Sequence, residues 1–187
     1  MNEEQLLEII TNPIPDNYFP VQFLEECKAF KELDYISPVV LKEEVISRCK
    51  TIISPQWHSW IEAYFQLVSS GKFPFLWPFR QDMIGFNFRE ELDDFERDDE
   101  LFSLGSDPVG DWFVMTNSSG SQVFLSDHHI YDLYDGWKNP NHLVAWALRS
   151  ALADEHGLAV ADIMSAWEQR NDKVELDALK RIISDLN

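Results

Sequence analysis

The 187-residue chain has few of the features that mark secreted, membrane-bound or nucleic-acid-binding proteins. Its two cysteines, Cys27 and Cys49, are too few for a disulfide scaffold and favour a reducing compartment. No apolar run approaches the roughly 20 residues of a membrane span. No basic stretch precedes an apolar one as in a signal peptide. We therefore expect a cytoplasmic protein that does not enter a membrane.

Basic residues are also scarce. The chain has 15 lysines and arginines against 33 aspartates and glutamates, which gives a net charge of −18. This balance argues against direct binding to nucleic acids or anionic membranes and permits a basic protein partner. With 45% hydrophobic and 13% aromatic residues, the chain is able to build a core. Its length is typical of one domain, which we place at 1–187.

Familiar catalytic motifs are missing as well. The chain has no GxGxxG, P-loop, GxSxG or HExxH motif and no cysteine pair at zinc spacing. We therefore expect no catalytic residue, no metal ligand and no cofactor. One tripeptide, Asp127-His128-His129, resembles the name motif of the DHH phosphoesterases, which implies metal-activated water. The simpler interpretation is a strand end that turns into a loop, with one histidine packed and the other solvated.

The stretch Leu101–Trp137 organises the rest of the chain. Two apolar runs, Trp112–Thr116 and Gln122–Leu125, flank a five-residue polar link in which Gly120 favours a turn. Aromatic and β-branched residues on both sides predict a hairpin. Apolar periodicity predicts helices elsewhere: Glu3–Ile10, Val21–Leu33, Val39–Ile53, Gln56–Ser69, Asn141 to about Glu155, Leu158–Gln169 and Val174–Leu186. We predict an extended connection over Lys72–Phe79. A weak alternation of apolar residues predicts a strand over Met83–Phe88.

These elements predict an α+β fold in which N-terminal and C-terminal helices flank a central antiparallel sheet, with helices on one side. The aromatic spacing predicts that Trp112 and Phe124 are buried or paired across the hairpin. It also predicts that Trp60 and Tyr64 line the helix that covers the sheet.

A series of landmarks runs through the middle of the chain: Pro55, Trp60, Tyr64 and Gly71, then Leu101-Phe102, Gly105, Gly110-Asp111 before Trp112–Met115, Gly120, Val123–Leu125, Asp127-His128 and the helix Asn141–Ala153. In this order they resemble the SUKH superfamily, which includes many bacterial immunity proteins against secreted toxins and proteins of a cell-wall regulatory type. The resemblance implies a SUKH-like core over 55–153, a helical N-terminal extension at 1–54 and C-terminal helices at 154–187.

Acidic residues concentrate in two places that are candidates for partner binding. The larger group holds Glu90, Glu91, Asp93, Asp94, Glu96, Asp98, Asp99 and Glu100. The smaller group holds Asp127, Asp132 and Asp135, whose spacing fits no EF-hand loop. Either group serves as a solvated face or as a binding face for a basic protein, because clustered charge steers association.

The leading hypothesis is a non-enzymatic immunity protein that masks the basic surface of a toxin such as a nuclease. One alternative is a regulatory or scaffold protein of the same fold. Another is a metal-dependent phosphoesterase that uses Asp127, His128 and His129. A phage-type nucleic-acid mimic needs acids spread along a surface, whereas these acids cluster. The sequence leaves the partner's identity and the oligomeric state open.

Overall fold

The computed structural model describes residues 3–28, 34–76, 79–81, 84–85, 100–118, 120–130 and 132–158. The described elements confirm the α+β fold, with helices around one four-stranded antiparallel sheet. The helices are α1 (Glu3–Thr11), α2 (Phe23–Cys27), α3 (Glu43–Ile52), α4 (His58–Ser69) and α5 (Pro140–Glu155). The strands are β1 (Leu101–Ser106), β2 (Trp112–Thr116), β3 (Val123–Ser126) and β4 (Leu133–Trp137).

The sheet is a meander in which each strand pairs with the next, in the order β1-β2-β3-β4. The predicted hairpin is confirmed, since β2 pairs with β3 and Phe113 lies opposite Leu125. The outer strands were not predicted. β1 contains Gly105, whose φ of +153° coincides with an irregularity in the pairing with β2. In a meander, the β1–β2 and β3–β4 connections lie at the same end of the sheet.

The two faces of the sheet differ because side chains alternate along each strand. One face packs against the helices and contributes to the main core, with Phe102, Phe113 and Trp137 fully buried. The other face carries a smaller apolar cluster of Leu101, Trp112 and Val114. Trp112 is buried as predicted, while Phe124 is half-buried and lies opposite Val114 rather than Trp112.

Helix α4 covers the core face as predicted. Trp60 and Tyr64 are buried, and the Tyr64 hydroxyl donates a hydrogen bond to the Leu104 carbonyl of β1 at 2.6 Å. The chain after α4 is extended, and it buries Phe73 and Leu76 against the same core. This part of the Lys72–Phe79 prediction is therefore confirmed.

Two predicted helices differ from the structure where it describes them. Helix α3 begins at Glu43 rather than at Val39, because the N–H of Val39 donates to the carbonyl of Val68 at the end of α4 and the preceding segment is extended. Within the described part of the Val21–Leu33 prediction, the regular helix is Phe23–Cys27, and it follows an irregular helical turn over Tyr18–Gln22. Residues 29–33 of that prediction lie outside the described residues. The predictions for 158–169, 174–186 and 83–88 lie wholly or mostly outside the described residues.

A buried polar cluster joins the N-terminal segment to α5. The Arg149 guanidinium is 1% exposed and donates to both carboxylate oxygens of Glu26, at 3.2 and 3.0 Å, and to the Asn12 carbonyl at 2.7 Å. The Tyr18 hydroxyl donates to the same carboxylate at 2.8 Å. Nearby on α5, the side chain of Asn141 accepts from the Phe19 N–H and the Trp60 indole and donates to the Asp16 carbonyl.

Candidate functional site

The β1–β2 turn is built around the carboxylate of Asp107. Its Oδ1 accepts hydrogen bonds from the N–H groups of Val109, Gly110 and Asp111 at 3.0, 2.9 and 2.9 Å. The Asp107 N–H in turn donates to the Asp111 carbonyl at 2.8 Å. Gly110 has a φ of +108°, which side-chain-bearing residues rarely adopt. The side chain of Asp107 thus closes the turn by accepting hydrogen bonds from the backbone of the residues that follow it.

The second oxygen of Asp107 is the unusual feature of this turn. The residue is fully buried, and its Oδ2 has no hydrogen-bond partner among the described residues. Burial, and then the negative charge of Asp111, raise the pKa of Asp107 to about 6, although the three N–H donors oppose this. At neutral pH the turn therefore holds two buried carboxylates close together.

The β3–β4 turn is closed in a similar way by Asp127. Its Oδ1 accepts from the N–H groups of His129 at 2.8 Å and Ile130 at 3.2 Å. The Asp127 N–H donates to the Asp132 carbonyl at 3.1 Å. Asp132 itself is exposed. Each turn therefore begins with an aspartate that caps its own loop, which is a common local solution.

The two turns meet because the meander places them at the same end of the sheet. Asp111 Oδ1 accepts from the N–H of His128 at 3.0 Å and lies 2.8 Å from His128 Nδ1, as expected of a ring N–H donating to a carboxylate. The His128 ring lies over Gly110, where an added Cβ would be 3.6 Å from it. The contact between the turns is therefore both polar and close-packed.

The acidic sheet end is defined here as Asp107, Asp111, Asp127 and Asp132 together with His128. Within it, one oxygen each of Asp111 and Asp127 and one ring nitrogen of His128 lie within 4.8 Å of one another. Such an arrangement suits a positively charged side chain or a divalent cation, since both take carboxylate oxygens as partners. His129 is exposed and outside this group, with its ring centroid 3.7 Å from that of His128.

The predicted partner-binding residues are spread over several places. Glu90, Glu91, Asp93, Asp94, Glu96, Asp98 and Asp99 lie outside the described residues. Glu100 precedes β1, at the opposite end of the sheet from Asp127 and Asp132. Asp135 lies on β4 between the two ends, exposed, and accepts from the Gln122 side chain at 2.8 Å. The structure therefore brings together only Asp127 and Asp132 from the set that it describes.

Sequence reasoning assigns no binding role to Asp107 or Asp111. The signal that relates Asp111 to Asp127-His128 is the predicted hairpin itself: Trp112 lies opposite Ser126, so the residues just outside the two strands are neighbours. The sequence pattern predicts the hairpin but not which side chains bond to each other at its open end.

The cysteines do not add a reactive group to this site. Cys27 and Cys49 are buried and unbridged, and burial raises the pKa of each thiol to about 12. Both therefore remain protonated at neutral pH, and a thiol is a much weaker nucleophile than a thiolate.

No protein-family model, curated protein or solved structure matches this chain. Among the helices that the structure describes, none is both long and apolar enough to cross a lipid bilayer.

Proposed function

We propose that this protein is a cytoplasmic binding protein of the immunity type, which neutralises a toxin by covering its basic surface. The observation that carries the proposal is the acidic sheet end, where two turns bring Asp111 and Asp127 together with the His128 imidazole and leave Asp132 exposed. The net charge of −18 adds a long-range attraction for a basic partner. The resemblance to the SUKH superfamily supports the same assignment.

The mechanism is electrostatic at long range and geometric at short range. Exposed acids such as Asp132 act over about 8 Å at physiological salt and raise the association rate. The half-buried Asp127 is held by a hydrogen bond from the backbone of its own turn, and the half-buried His128 by a hydrogen bond to Asp111 of the other turn. Because their positions are fixed before binding, little conformational freedom is lost when an arginine or lysine of the toxin docks.

The test is association kinetics at low and high salt with a candidate nuclease toxin, chosen by sequencing the genes next to this one. We expect Asp127→Asn combined with Asp132→Asn to lower the association rate and to flatten its salt dependence. The matched control is Asp98→Asn combined with Asp99→Asn, which removes the same charge from the other predicted surface. Protection of cells that express the toxin is measured alongside.

Each outcome decides between surfaces or functions. A loss confined to the control pair moves the binding face to Glu90–Glu100. An unchanged salt slope in both pairs contradicts electrostatic masking. A partner that is not a toxin, bound with the same salt dependence, favours the regulatory or scaffold alternative.

The phosphoesterase alternative gains one observation, since Asp127 and His128 share a group with Asp111. It also requires His129, which lies outside that group and is exposed. We expect no manganese-dependent hydrolysis of a phosphodiester. Hydrolysis by the wild type that disappears in His128→Ala would contradict the binding-protein proposal and favour an enzyme.

A further inference from the structure

The group formed by Asp111, Asp127 and His128 has a ligand composition that differs from a surface acidic patch. It joins two carboxylates and one imidazole from two different turns, so that a single ion bound there would link the turns. Carboxylates favour Mn²⁺ and Mg²⁺, while imidazole favours Zn²⁺, Fe²⁺ and Cu²⁺. A mixed set of this kind suits a divalent transition-metal ion.

The distances are compatible with such an ion. His128 Nδ1 and Asp111 Oδ1 are 2.8 Å apart, and an ion about 2.1 Å from both would be held at an angle of about 85°, close to octahedral geometry. Two ligands of one such ion are at most about 4.2 Å apart. One donor atom from each of the three residues lies within 4.8 Å of the others, so the pair farthest apart has to approach by at most about 0.6 Å.

The surrounding charge is an independent reason for an ion at this place. Asp107 is fully buried on the same turn as Asp111, and its Oδ2 has no partner among the described residues. Asp107 and Asp111 are both buried on this turn, and their like charges repel each other. A divalent cation held by Asp111 and Asp127 would offset this repulsion as well as cross-linking the turns.

We propose that Asp111, Asp127 and His128 form a binding site for a divalent transition-metal ion that clamps the β1–β2 turn to the β3–β4 turn. The site does not depend on the immunity proposal, because it concerns the metal alone. It requires no catalysis, and its role is to fix the geometry of the acidic sheet end. Occupied sites would also present a less negative surface to any partner.

The test is titration of the chelator-treated full-length protein with Mn²⁺. Electron paramagnetic resonance measures the concentration of free Mn²⁺. The site is located by the paramagnetic broadening that bound Mn²⁺ causes in the backbone amide NMR signals. We expect one bound ion, with broadening centred on residues 107–111 and 127–132. Asp111→Asn and Asp127→Asn each retain an acceptor oxygen for the turn hydrogen bonds, so they separate metal binding from folding. Each substitution should weaken Mn²⁺ binding about 10-fold or more, as is typical when a residue that surrounds a bound metal ion is replaced.

Asp132→Asn is the matched control, since Asp132 belongs to the same turn but not to the ligand group. It should leave Mn²⁺ affinity within about two-fold of the wild type, as expected of a charge that is exposed and screened. Zn²⁺ should compete with Mn²⁺, and the wild type should gain a higher melting temperature on metal addition. Equal weakening in all three variants, broadening elsewhere, or no saturable binding would overturn the proposal and leave Asp111 and His128 as a simple hydrogen-bonded pair.

Discussion

Two clusters of buried polar groups in this molecule are organised on opposite principles. At the N-terminal segment, Arg149 meets one carboxylate, Glu26, which also accepts from the hydroxyl of Tyr18. At the acidic sheet end, Asp107 and Asp111 are both buried, and Asp111 contacts the half-buried His128. The first cluster pairs one carboxylate with one guanidinium, whereas the second brings several carboxyl groups close together.

The difference indicates different roles. A balanced buried pair joins parts of the chain that are 123 residues apart in sequence and gives nothing to an incoming ligand. Burial also raises the pKa of Tyr18 far above its ordinary value of 10, so its hydroxyl stays a donor to Glu26. Two buried carboxyl groups on one turn repel each other, and such destabilising arrangements occur mostly at sites that bind a ligand. The first cluster therefore has a structural role, and the second is the one on which the two proposals depend.

The largest expected effect comes from breaking the balanced cluster. Arg149→Met leaves the Glu26 carboxylate without its cation and the Asn12 carbonyl without its donor. Removing one member of a buried ion pair typically costs 3–5 kcal/mol, so we expect a loss of about 4 kcal/mol in the free energy of unfolding. Urea denaturation measures it.

The double variant Arg149→Met with Glu26→Gln serves as control. It removes the uncompensated charge and should recover part of the loss. A loss below about 1 kcal/mol in the single variant would place this pair among ordinary surface salt bridges and remove the contrast between the clusters.

The second expected effect concerns Asn141, the neutral neighbour of that cluster on α5. Asn141→Ala removes the acceptor for the Phe19 N–H and the Trp60 indole and the donor to the Asp16 carbonyl. Each buried group left unpaired costs about 1–3 kcal/mol, so we expect a total loss near 3 kcal/mol. Thermal and urea unfolding measure the loss, and Asn139→Ala, which removes only a helix cap, should cost about 1 kcal/mol.

How far the sequence predicts these features depends on how local they are. The hairpin of β2 and β3 and the start of α5 follow from short-range signals: aromatic strands around a glycine turn, and Asn139 capping a helix with Pro140 at its first position. β1 and β4 were missed because Gly105 and Gly136 weaken their strand pattern.

The acidic sheet end depends on a longer-range contact than the turn of the hairpin. The contact of Asp111 with His128 spans 17 residues and depends on the register of β2 and β3, in which Trp112 lies opposite Ser126. The cluster of Glu26 and Arg149 is still less local. No periodicity in the chain relates two residues 123 positions apart, and only the folded core brings them together.

The third expected effect is a pH dependence that belongs to the acidic sheet end alone. The pKa of Asp107 is about 6 in the folded protein against an ordinary value of 3.8. Because the folded state holds the proton more tightly, its contribution to stability is complete below pH 3.8 and is lost as the pH rises through 6. In the presence of a metal chelator, we expect Asp107 to lower the free energy of unfolding by on the order of 2 kcal/mol between pH 4 and pH 7.5.

The comparison for this prediction is Asp107→Asn. Its amide oxygen is able to accept the same three turn hydrogen bonds, but the side chain does not ionise. The difference in unfolding free energy between variant and wild type, followed from pH 4 to 7.5, isolates Asp107 from other titrating groups. A difference that is independent of pH would show that Asp107 is not under electrostatic strain, and the two clusters would then be alike.

The smallest expected effect is the coupling between Asp111 and His128. Their hydrogen bond is 2.8 Å long, but the His128 side chain is 29% exposed, whereas Arg149 is 1% exposed. Solvent weakens the interaction, and Asp107 lies beside Asp111 with a charge of the same sign. A double-mutant cycle with Asp111→Asn and His128→Ala, in a metal chelator at pH 7.5, should therefore give a coupling energy below about 1 kcal/mol. The cycle with Glu26→Gln and Arg149→Met should give a larger coupling. Equal coupling energies in the two cycles would mean that His128 stabilises Asp111 as strongly as Arg149 stabilises Glu26. A small coupling together with a large stabilisation by Mn²⁺ would mean that the carboxylates are arranged for an ion rather than for the imidazole.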